Sequence, residues 1–206
     1  MLGAVTSLLR LCSRFNSGKS WAKKVFPSEP PKKAENLLWD AILSASRAQN
    51  EPIKAWEAHN RDLAQKCAYL NSLDLRSLHY KSKNGTDLSV GLIEGSVFCG
   101  GAEKTLGTNI VFNPNIPSEE IFISPDKNSA DGVVFSTKPL SYRGRLIENF
   151  RLSFKNGKVT EAHAEKGDDI LHTMLCMDEG ASHLGECALI PFDSPINNSG
   201  ILFSGK

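Results

Sequence analysis

Two segments of this chain set a carboxylate directly before a run of strand-forming apolar residues. In NIPSEEIFISP (Asn115–Pro125), Glu119 and Glu120 precede Ile-Phe-Ile; in GECALIPFDSPI (Gly185–Ile196), Glu186 precedes Cys-Ala-Leu-Ile. Runs of this kind are usually buried in a sheet, and an unpaired carboxylate beside one is costly to desolvate. Each such carboxylate needs a hydrogen-bond donor, a cation or a metal ion. Two of them, far apart in sequence, suggest a carboxylate-rich metal site assembled by the fold. Spacing by itself favours the plainer account, ordinary salt bridges at strand starts, because charged strand edges are common. Glu119, adjacent to Glu120, points to the opposite face of a strand and is the poorer candidate for the same metal.

The remaining chemistry-bearing residues say less. The histidines are His59, His79, His163, His172 and His183, and none forms the H-E-x-x-H pattern of a zincin. His183 and Glu186 are three apart, close enough to meet on a helix; otherwise His183 reads as a surface residue. The cysteines (Cys12, Cys67, Cys99, Cys176, Cys187) are odd in number and lack C-x-x-C spacing. Reduced thiols acting as small buried hydrophobes are the simpler reading. The glycines of EGSVFCGG (Glu94–Gly101) lie among strands, so they read as turn or bulge positions rather than a phosphate loop. Cys99 has no evident base beside it, and Asp193-Ser194-Pro195 reads first as a turn.

Further strings carry a family resemblance. They are WAKKVFP (Trp21–Pro27), AWEAHN (Ala55–Asn60), GTDLSVGL (Gly85–Leu92), STKPLSYRG (Ser136–Gly144), AEKG (Ala164–Gly167), MDEGASHLGE (Met177–Glu186) and IPFDSPINNSGILF (Ile190–Phe203). With NIPSEE, and in this order, the sequence from about Trp21 to Phe203 resembles the thermophilic aminopeptidase family, the leucyl aminopeptidase T and aminopeptidase S type of metallo-aminopeptidase. The resemblance implies a peptide substrate, removal of N-terminal residues, and a pair of divalent metal ions, of which zinc, cobalt and manganese are the candidates. By motif position it implies that Glu120 and Glu186 are metal ligands. It implies a homodimer for the full-length protein. Family members continue past the stretch like GILF into residues that supply His, Tyr and Asp to the metal site. The expectation is therefore an internal piece of an enzyme, inactive by itself. The alternative is a non-catalytic truncated relative that acts as a dimerisation or interaction module.

The elements that must position these residues read as α+β: N-terminal helices, then a mostly β portion with a helical insertion. Ala34, Leu37, Leu38, Ala41, Ile42 and Ala45 follow one helix face. After a break at Gln49–Pro52, Pro52 opens a second helix with Trp56, Leu63, Cys67 and Leu70 on one side. Strand patterns flank Asn84-Gly85 and Asn156-Gly157, which read as tight hairpin turns. Asp131-Gly132 reads as another turn. Asp168 and Asp169 open a helix with Ile170, Leu171, Met174 and Leu175 on its buried face, and Gly180 reads as its end or bend. The division expected is a divergent segment 1–20, a remnant of an N-terminal domain at 21–52, and the first part of a catalytic domain at 53–206.

Composition bounds the rest. Charge is balanced, 24 Lys+Arg against 23 Asp+Glu, which gives no support for nucleic-acid binding. No apolar run approaches the length needed to span a bilayer. Residues 1–28 contain no acidic residue but carry Arg10, Arg14, Lys19, Lys23, Lys24 and several serines. That composition fits a mitochondrial transit peptide, against the cytoplasmic location suggested by the cysteine usage.

Overall fold

The computed structural model of the chain describes residues 18–202; the basic N-terminal stretch read as a targeting signal lies largely outside them. The described chain runs through α1 (Gly18–Val25), α2 (Pro31–Ala45), α3 (Pro52–Ser72), β1 (Ser77–Lys81), β2 (Asp87–Gly91), β3 (Glu103–Lys104), β4 (Val111–Phe112), β5 (Ile121–Ile123) and β6 (Asp131–Phe135). It continues with β7 (Leu140–Tyr142), β8 (Arg145–Lys155), β9 (Lys158–Lys166), α4 (Asp168–Leu175), β10 (Cys187–Leu189) and α5 (Pro195–Asn198). Helices first, then strands with one helical insertion, is the α+β order expected.

The chain divides into two compact units. One comprises the chain up to Ala68 with Cys99–Ile121 and Leu189–Ile201; the other comprises Tyr69–Phe98, Phe122–Ala188 and the chain from Leu202.

In the first unit, α1 packs on α2. Helix α2 starts where Pro31 supplies a preset φ and has no N–H to lose. It buries Ala34, Leu38, Ile42 and Ala45, the face marked by the apolar period. It ends in a Schellman motif: Ala48 N–H donates to Leu43 O at 2.8 Å and Arg47 N–H to Ser44 O at 3.0 Å. The left-handed residue of that motif, usually glycine, is Arg47, with φ 53°. Helix α3 buries His59, Leu63 and Cys67. The short hairpin of β3 and β4 carries exposed Leu106, Ile110 and Val111. The Ile116–Pro117 bond is cis.

The second unit holds an antiparallel sheet in the order β1-β2-β6-β8-β7, with β9 on the other edge of β8. The β8–β9 turn is the two-residue hairpin expected: Lys155 pairs with Lys158, Phe154 with Val159, and Asn156 and Gly157 have φ 50° and 80°. One extra residue on β9 makes a bulge opposite Ser153 and Phe154. Asn84-Gly85 also lies in a hairpin, but a longer one. Lys81 pairs with Asp87, and among Ser82–Thr86 only Gly85 has a positive φ, 102°. That is a type I turn closed by a glycine bulge.

Two expectations are corrected. Asp131-Gly132 is not a turn; both residues lie in β6 and pair with β2. The helix opened by Asp168 and Asp169 ends at Leu175, well before Gly180. Gly180 instead donates its N–H to Asp178 Oδ1 at 2.8 Å in a separate turn. Ile170 and Leu171 of α4 are buried with Ile147 and Ala164 of β8 and β9, forming this unit's helix-on-sheet core.

Candidate functional site

The segment ending in Glu120 is built by the first unit. Burial alternates along it: Glu119, Ile121 and Ile123 are buried, whereas Glu120 and Phe122 are half-buried. The two glutamates thus face opposite ways, as the strand period requires. Glu119 is 5% exposed, and the sequence argument that such a carboxylate needs a partner is met by protein. Arg47 grips it with both arms, Nη1 to Oε1 and Nη2 to Oε2, the latter at 2.9 Å. The two-pronged geometry is the strong form of a carboxylate–guanidinium contact. His59 closes the cluster. Its Nε2 lies 2.7 Å from the Ser118 carbonyl and 3.8 Å from Glu119 Oε1. The carbonyl can only accept, so the Nε2 position carries the proton. The His59 ring is held edge-on by Trp56, with centroids 5.5 Å apart. Trp56 in turn donates its indole N–H to Ser46 O at 2.9 Å. Just upstream, Asn60 and Asn113 exchange amide hydrogen bonds of 2.8 and 3.0 Å.

Sequence reasoning missed this cluster. The signal was present only in half: Glu119 was legible as a carboxylate in need of a partner. Arg47, 72 residues away, sits in a left-handed position that sequence pattern would assign to glycine. Holding a side chain there costs about 1 kcal/mol.

Glu186 belongs to the second unit and is exposed, directly before β10. It stands at the lip of an open trough of about 400 Å³ on the sheet, lined by Tyr80, Leu88, Val134, Phe135 and Cys187 among others. The Tyr80 hydroxyl is buried beside the Cys187 thiol. Burial, and then the neighbouring Cys187 thiol, push the Tyr80 phenol up to about 12. Burial also raises the Cys187 thiol, the Tyr80 hydroxyl contact partly offsets the rise, and the Glu186 charge adds to it. His183 is not on a helix with Glu186. It forms an isolated bridge with Lys158, and its Nδ1 lies 3.1 Å from Lys127 O. Ser194 turns out to cap α5, its Oγ accepting from Asn197 N–H at 3.1 Å, and is buried.

The cysteine reading holds in part. Cys67 and Cys187 are buried, but Cys99 and Cys176 are exposed, and none of the four is in a disulfide. Among the described residues no helix is long and apolar enough to cross a membrane. Glu120 and Glu186 are oxygen donors of the kind that divalent ions take. Yet among the described residues no group of three or more His, Cys, Asp or Glu side chains could hold a metal ion. By its chemistry each carboxylate suits a divalent ion, and neither has two further such side chains gathered with it among the described residues.

Comparison with known proteins gives this geometry its context. The family described as thermophilic metalloprotease (M29) matches residues 7–205. Aminopeptidase T of Thermus thermophilus is 47% identical over 184 residues, 89% of this chain and 45% of that protein. Aminopeptidase AmpS of Bacillus subtilis is 46% identical over 184 residues, 89% of this chain and 44% of that protein. The solved structure of wild-type AmpT from Thermus thermophilus superposes with a TM-score of 0.81 at 46% identity, covering 89% of this chain and 44% of that one. The chain thus spans a little under half the length of the relatives it matches.

Proposed function

The chain belongs to the thermophilic metalloprotease (M29) family, and we propose that it carries part of a two-metal aminopeptidase centre to which Glu120 and Glu186 contribute carboxylates. The observation that carries this reading is the family match across nearly the whole chain, together with aminopeptidase relatives at 47% and 46% identity. The substrate is a peptide with a free N-terminus, and the metals are zinc, cobalt or manganese. Bound divalent ions would supply Lewis acidity and a water activated near neutral pH. The chain's own contribution is to hold the two carboxylates at the starts of β5 and β10. Among its described residues no complete donor set gathers, so we read it as inactive alone. Its expected location is the cytoplasm, with a mitochondrial location as the alternative.

The test uses a full-length relative. Glutamine is placed at the positions of Thermus thermophilus aminopeptidase T that align with Glu120 and Glu186, and metal content and peptide turnover are measured. Each substitution should lower metal affinity by at least about tenfold, the scale reached even by supporting residues of metal sites. Wild-type metal content and turnover in both variants would remove the assignment.

A second reading, a non-catalytic dimerisation or interaction module, is favoured by exposed apolar side chains. Leu106 is 84% exposed and Phe192 88%. Self-association measured by light scattering, and abolished by Leu106→Ser or Phe192→Ser, would support it.

A further inference from the structure

We propose that Arg47 is a positioning residue: by clamping Glu119, it fixes the backbone that aims Glu120. The proposal rests on the reading of Glu120 as a metal ligand. Three restraints converge on Ser118–Glu120, all within the first unit. The Ser118 carbonyl accepts from His59 Nε2 at 2.7 Å. The Glu119 carboxylate, 5% exposed, is held by both arms of Arg47. The Glu120 carbonyl lies so close to Gly100 that a Cβ there would fall 2.7 Å from it. Consecutive strand residues point to opposite faces. Anchoring Glu119 inward therefore fixes the direction in which Glu120 leaves the backbone.

The Arg47 backbone supports the same conclusion. It occupies the left-handed position of the α2 Schellman motif, with φ 53°. Glycine suits that position without strain but has no side chain to reach Glu119. Strained conformations persist where the surrounding structure over-determines them, and they cluster at functional sites. A ligand must be held within about 0.5 Å of its productive position. A salt bridge that served the core alone could be replaced by apolar residues with little loss. One that aims a ligand could not.

The test uses the full 206-residue chain with ¹³C-labelled glutamate. Manganese(II) alone is titrated to millimolar levels while the Glu120 carboxyl resonance, assigned by its loss in Glu120→Gln, is followed for paramagnetic broadening. In the parent chain this resonance should broaden. In Arg47→Met the half-effect concentration should rise at least about tenfold. Arg47→Lys should recover part of the loss, and the exchange Arg47→Glu with Glu119→Arg most of it. Leu38→Ala, a destabilising change on the buried face of α2, should leave the half-effect concentration unmoved. If Arg47→Met fails to fold, the near-isosteric Glu119→Gln is read in its place. Folded Arg47 and Glu119 variants that titrate like the parent would overturn the positioning role while leaving Glu120 as a ligand. Absence of Glu120 broadening in the parent would overturn the ligand reading, and the proposal with it.

Discussion

Gly132 of β6 is pressed against the backbone of Asp87 in β2: a Cβ at position 132 would fall 2.1 Å from the Asp87 carbonyl oxygen. The φ of 120° is also one that L side chains rarely adopt. Both the strain and the clash with unyielding backbone fall on the pairing of β2 with β6. Gly132→Ala should therefore destabilise the chain by about 2 kcal/mol or more. Urea unfolding followed by circular dichroism would show this as a lower midpoint. An unchanged midpoint would mean that the two strands do not approach so closely.

Arg47→Met should cost about 3–5 kcal/mol, because it leaves the buried Glu119 carboxylate without its cation. Replacing both partners, Arg47→Met with Glu119→Leu, should cost clearly less than Arg47→Met alone, since no uncompensated charge stays behind. A double-mutant cycle in chemical denaturation measures the difference. Equal costs would show that the ion pair is not buried as described.

The Tyr80 phenol, raised by burial from 10 to about 12, makes stability fall at high pH. Its neutral form is favoured in the fold. The contribution is fully present below pH 10, and it is lost as pH rises through about 12, because there the unfolded chain binds fewer protons than the folded one. After allowance for solvent screening, the loss is on the order of 1 kcal/mol. Between pH 10 and 12 the parent should lose stability relative to Tyr80→Phe, which has no phenol to ionise, in alkaline unfolding curves. A Tyr80 phenolate absorbance appearing near pH 10 would contradict the buried environment.

The four described cysteines should separate by reactivity. Cys67 and Cys187 are buried, and burial is the first cause of their raised thiol pKa values. Both effects cut the accessible thiolate at neutral pH. Iodoacetamide labelling followed by mass spectrometry should modify Cys99 and Cys176 first. Rapid labelling of Cys187 in the folded chain would show that the trough around it is open to solvent more deeply than the sheet geometry allows.

Local features were the most legible in the sequence. The 3.6-residue period marked the buried face of α2, and Asn156-Gly157 named its own turn, because in both cases the deciding physics lies within a few residues. Asp131-Gly132 misled for an instructive reason. Glycine there does not serve a turn; it makes room for the Asp87 carbonyl, a neighbour 45 residues away that no local pattern announces. The candidate site divides the same way. Glu120 and Glu186 stood out through motif resemblance, and Glu119 through its cost of burial. Arg47 and His59 did not, because a basic residue after a helix and a histidine inside one are ordinary until the fold sets them against Ser118 and Glu119.

The chain by itself should show no substantial aminopeptidase activity. Two-metal hydrolysis needs both ions held, with an open position for water and substrate. Among the described residues no three His, Cys, Asp or Glu side chains gather to hold even one ion. Apart from buried His59 beside Glu119, the histidines described as meeting carboxylates do so in exposed pairs: His79 with Asp87 at 2.8 Å, and both His163 and His172 with Asp168 at 3.5 Å. Metal affinity should accordingly be weak, and with it the supply of activated water. The measurement is turnover of leucine and other aminoacyl reporter substrates by purified chain supplied with excess zinc, cobalt or manganese. The control is the Glu120→Ala, Glu186→Ala double variant. Turnover indistinguishable from that control is the expected result. Turnover above it would mean that a second copy, or a residue outside the described range, completes the donor set, and the reading of this chain as catalytically incomplete would have to be given up.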